Sequence, residues 1–125
     1  MWHLYTKGDI MSIKQLNDIM MSTFDIDVSK VCSYSFKVNG LTYKKLRDCL
    51  YILGKIVYES EKEQIYLTNI KGGFFHLNIV IAGFQLTNTT LYISLYAREG
   101  IIEQHTNEGV INEIRKQFKD VIKEA

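Results

Sequence analysis

Along these 125 residues the spacing of apolar side chains switches repeatedly between a helical and an extended repeat, so the chain can be neither all helix nor all sheet. Ser12 and Gln15 form a capping-box pair. Ile13, Leu16, Met20 and Phe24 then recur at helical spacing and predict a first helix. Cys32, Tyr34, Phe36 and Val38 alternate with Ser33, Ser35, Lys37 and Asn39, as a half-buried strand should, and Asn39-Gly40 ends it.

An Asn-Gly pair signals a hairpin, but the alternation fails after it. Leu46, Cys49, Leu50 and Leu53 fall at helical spacing instead, Thr42 can cap, and Leu41 can staple onto Leu46. A second helix is therefore predicted, with Gly54 as a left-handed C-cap, although Lys44 and Lys45 stand unfavourably in its first turn. From Lys55 the chain reads as a meander. Lys55 to Glu59 and Gln64 to Ile70 flank a charged tip, Lys71-Gly72-Gly73 turns, a strand from Phe74 to about Leu86 follows with Gly83 as a bulge, and Leu91 to Ala97 completes five strands. Ile111, Ile114, Phe118, Val121 and Ile122 mark the buried face of a closing helix from about Glu108 to Lys123.

This order predicts a single domain over residues 1–125: a two-layer α+β fold whose five-stranded, mainly antiparallel sheet carries its helices on one face. No repeat or linker divides the chain. Fifteen basic residues against 14 acidic ones leave a net charge of +1, too weak a field to gather nucleic acid or anionic lipid. The basic stripe Arg115, Lys116, Lys119 and Lys123 reads as a solvated face near a helix C-terminus. No signal-peptide pattern opens the chain and no apolar run reaches about 18 residues, so a cytoplasmic protein without membrane contact is expected.

The residues that carry chemistry are few and scattered. Cys32 and Cys49 both fall on apolar faces and read as small buried hydrophobes. His3, His76 and His105 never stand at a spacing that brings two imidazoles to one ion, so no metal is expected. Gly72-Gly73 precedes a strand and lacks the Lys and Ser/Thr of a phosphate loop; no cofactor is expected. Glu59, Glu61 and Glu63 crowd a hairpin tip, where nothing desolvates them for acid–base work.

Two constellations stand out. On the predicted sheet face away from the helices, Phe74, His76 and Asn78 neighbour Tyr92 and Tyr96, an aromatic set of the kind that binds a protein partner or a second copy, unless the N-terminal segment or another element folds over it. At the junction before the last helix, Arg98, His105, Thr106 and Asn107 gather around free helix N–H groups, where they could hold a small anion or support an enzymatic site, or simply cap the helix. With no nucleophile, base or metal set assembled, the first leads: a non-catalytic binding module acting through an aromatic sheet face.

Overall fold

The computed structural model describes residues 7–72, 78–97 and 104–123. In chain order the elements are α1 (Lys7–Thr23), β1 (Cys32–Val38), α2 (Tyr43–Leu53), β2 (Gly54–Ser60), β3 (Ile65–Gly72), β4 (Asn78–Leu86), β5 (Thr90–Ala97), α3 (Gln104–Gln117) and β6 (Ile122–Lys123). The strands form one antiparallel sheet in the order β2-β3-β4-β5-β1-β6, with five strands of full length and a two-residue sixth, and helices packed against it. The fold is α+β.

Topology follows from direction. β2 to β5 are consecutive antiparallel neighbours, whereas β1 and β2 point the same way from different places in the sheet, which demands a crossover. The crossover is α2. It starts where Tyr43 stacks on Tyr66, with ring centroids 4.1 Å apart, and ends where Gly54 pairs with Ile70, so it returns the chain along β3 to the other end of the sheet. Thr42 caps it as predicted, accepting from the Lys45 N–H at 3.1 Å, and Leu41 and Leu46 are both buried. Gly40 takes up the left-handed conformation (φ +72°) that lets the chain leave β1 without making a hairpin.

The helices do not share a face. α2 and α3, with Phe118 just beyond the end of α3, bury Leu46, Leu50, Ile111 and Ile114 against Tyr66, Val80, Phe84, Ile93 and Leu95. α1 lies on the opposite side, with Leu16 and Met20 against Ile65, Leu67, Ile81 and Tyr92. The centre of the sheet is thus apolar on both faces, and the two-layer arrangement is replaced by a sheet covered twice.

Three local expectations change for identifiable reasons. α1 begins at Lys7, so Ser12 lies inside it; its first turn is anchored by Asp9, which accepts a hydrogen bond from the Tyr92 hydroxyl. Gly54 is extended rather than left-handed, and is glycine because an added Cβ would stand 2.2 Å from the Asn69 carbonyl oxygen. Gly83 is not a bulge: pairing runs unbroken past it on both sides, and Met20 Sδ and Leu16 Cδ1 occupy the place of its missing side chain. The bulge is at Val57, the extra residue between the Ile56–Thr68 and Tyr58–Leu67 pairs.

The closing helix stops at Gln117, short of the predicted Lys123. A turn over 118–121 keeps Phe118 and Val121 buried and brings Ile122 and Lys123 against Val38 and Lys37. Backbone groups on the outer side of β1 gain partners that way, including the Asn39 N–H, which donates to the Val121 carbonyl at 3.1 Å. The first part of the predicted fourth strand, 74–77, lies outside the described residues.

Candidate functional site

α1 occupies the aromatic sheet face that the sequence offered to a partner. Tyr92 is 4% exposed, sealed beneath α1 and bonded to Asp9, so it has no area to give to another molecule. Burial, with the Asp9 hydrogen bond second, pushes its phenol up to about 12 from an ordinary 10.0. Tyr96 is half-buried against the same cluster. Beside them the Ser33 and Ser94 hydroxyls meet at 3.0 Å across β1 and β5. Asn78 pairs with Gly72 at the start of β4, while Phe74 and His76 lie outside the described residues. The structure therefore brings Tyr92 and Tyr96 together, but under a helix of the same chain.

Of the junction set, Arg98 lies outside the described residues, and His105, Thr106 and Asn107 fall within the first turn of α3. The cysteines separate. Cys49 is half-buried, its thiol pushed up by desolvation, but Cys32, near one end of the sheet, is exposed rather than buried. Among the described residues no three His, Cys, Asp or Glu gather as a metal site, and no helix is long and apolar enough to cross a membrane.

Among the described residues, exposed apolar side chains stand on α1 (Ile10, Met11) and at the corner where α2 runs without a loop into β2. Tyr51 and Ile52, on the last turn of α2, are 57% and 70% exposed, and Ile79, at the start of β4, is 49% exposed. Between the helix end and the sheet edge Leu53, Gly54, Lys55, Asn69, Ile70, Lys71 and Ile79 line a cleft of about 410 Å³. Gly54 lines the cleft where its backbone approaches the Asn69 carbonyl too closely for a side chain.

The start of α2 is braced against the other end of the sheet. Arg47, in the first half of α2, pairs with Glu59 near the far end of β2 (Nε to Oε1, 3.0 Å) and lies 5.2 Å from the centre of the Tyr51 ring one turn on. Tyr66 donates to the Tyr43 carbonyl (2.8 Å) and Tyr43 to the Ile65 carbonyl (3.0 Å), and burial raises both phenols so that they stay neutral donors.

Edge pairing is a poor use of this surface, although β2 is an edge strand. The Val57 bulge places Lys55 on the α1 face, opposite Asn69, and Glu59 on the α2 face, opposite Tyr66. A second β2 strand docked antiparallel around Val57 would meet charges on the wrong faces, and bulges and edge lysines are the usual guards against such pairing.

Reading the sequence did not single out this corner, because its three groups of residues are distant in the chain and Ile52 and Ile79 each look like ordinary members of an apolar pattern. The one available signal was Ile52, which falls outside the stripe made by Leu46, Leu50 and Leu53. No protein-family model matches this chain, and no curated protein matches it either.

Proposed function

We propose that the chain is a non-catalytic binding module, and that it recognises its partner through the α2–β2 corner. The observation that carries this reading is the exposure of Tyr51 and Ile52 on the last turn of α2, next in the chain to Leu53, which lines an open apolar cleft. Large apolar groups grouped at one place on a surface mark contact sites, and tyrosine is enriched in them. The aromatic sheet face loses its claim because α1 already covers it. Arg47, itself paired with Glu59, lies over the Tyr51 ring and holds it before binding, which reduces the ordering cost of association.

Capture from the native cell with the wild-type chain and with Ile52→Asp tests the reading. Because Ile52 is a surface side chain, its replacement changes stability by no more than about 0.5 kcal/mol. The expected result is a protein retained by the wild type and lost by the variant at equal thermal midpoint. Identical recovery by both would overturn the assignment of the corner.

A further inference from the structure

No further inference is drawn: the strongest candidate, the apolar patch of Ile10 and Met11 on the first turns of α1, beside a shallow groove lined by Lys14, Gln15, Asp18, Ile19 and Glu63, is an unpartnered helix surface, and nothing among the described residues shows what covers it.

Discussion

Gly54 and Gly83 are both crowded, but by different things. An added Cβ at Gly54 would meet the Asn69 carbonyl oxygen at 2.2 Å, backbone that is held in the β2–β3 ladder and cannot turn aside. At Gly83 the nearest atoms are the far ends of side chains, Met20 Sδ at 2.7 Å and Leu16 Cδ1 at 2.9 Å, and thioethers in particular adapt. Gly83→Ala should therefore cost about 1–3 kcal/mol, the usual range for overpacking, and Gly54→Ala more, with denaturant unfolding as the measurement. The reverse order would mean that the β2–β3 pair is softer than its geometry implies. Sequence reading marked both glycines as special and gave each the wrong reason, because a glycine's neighbours across a sheet are not written next to it in the chain.

Tyr92 supplies the pH dependence. Its phenol titrates at about 12 in the folded protein against an ordinary 10.0, so folding favours the neutral, protonated form. The stability it contributes is whole below about pH 10 and is lost as pH climbs from there toward 12. Tyr92→Phe should cost about 1–3 kcal/mol near neutrality, since Asp9 loses a donor at a buried place, and should then lose stability less steeply than the wild type above pH 10. Tyr43 and Tyr66 are raised too, so the variant keeps part of the alkaline loss. Urea midpoints measured from pH 8 to 12 would check both signs.

Among the elements, α1 shows what periodicity tells and withholds. The spacing of Leu16 and Met20 announced a helix with one buried stripe, and that stripe is buried. Which sheet face it would meet depends on the partner surface: Ile65, Leu67, Ile81 and Gly83, from two later strands, with Gly83 providing the hollow. Those residues alternate with Tyr66, Val80, Ala82 and Phe84 of the other core, so β3 and β4 are apolar on both faces, and a strand of that composition must be covered twice. Reading the continuous run from Ile79 to Phe84 that way would have predicted the second layer. Leu16→Ala should cost about 2–5 kcal/mol, as the loss of a fully buried side chain does, although the helix carrying it covers only one side of the sheet. A cost below about 1 kcal/mol in equilibrium unfolding would mean that α1 is an optional layer. β6 is the opposite case: nothing in Ile122-Lys123 marks a strand, and the pair takes that form because β1 has an edge to offer.

At the scale of the whole molecule, one sheet separates two cores that share strands but not side-chain contacts. Leu16 belongs to the α1 core and Ile114 to the core of α2 and α3, and both are fully buried. If the sheet transmitted packing strain from one face to the other, truncating both would cost more or less than the sum of the single losses. The strands argue against that, because each residue of β3, β4 and β5 presents its side chain to one face only, and the backbone ladder between is held by hydrogen bonds that neither truncation touches. The costs of Leu16→Ala and Ile114→Ala should therefore add to within about 0.5 kcal/mol in the double variant. Cooperativity is a separate matter: removing α1 would leave an apolar sheet face in water, so neither core is stable without the other, and unfolding should stay a single transition by far- and near-ultraviolet circular dichroism alike. Separate transitions in the double variant would show that the α1 face can open by itself, and Tyr92 and Tyr96 would then regain the recognition role that the closed molecule denies them.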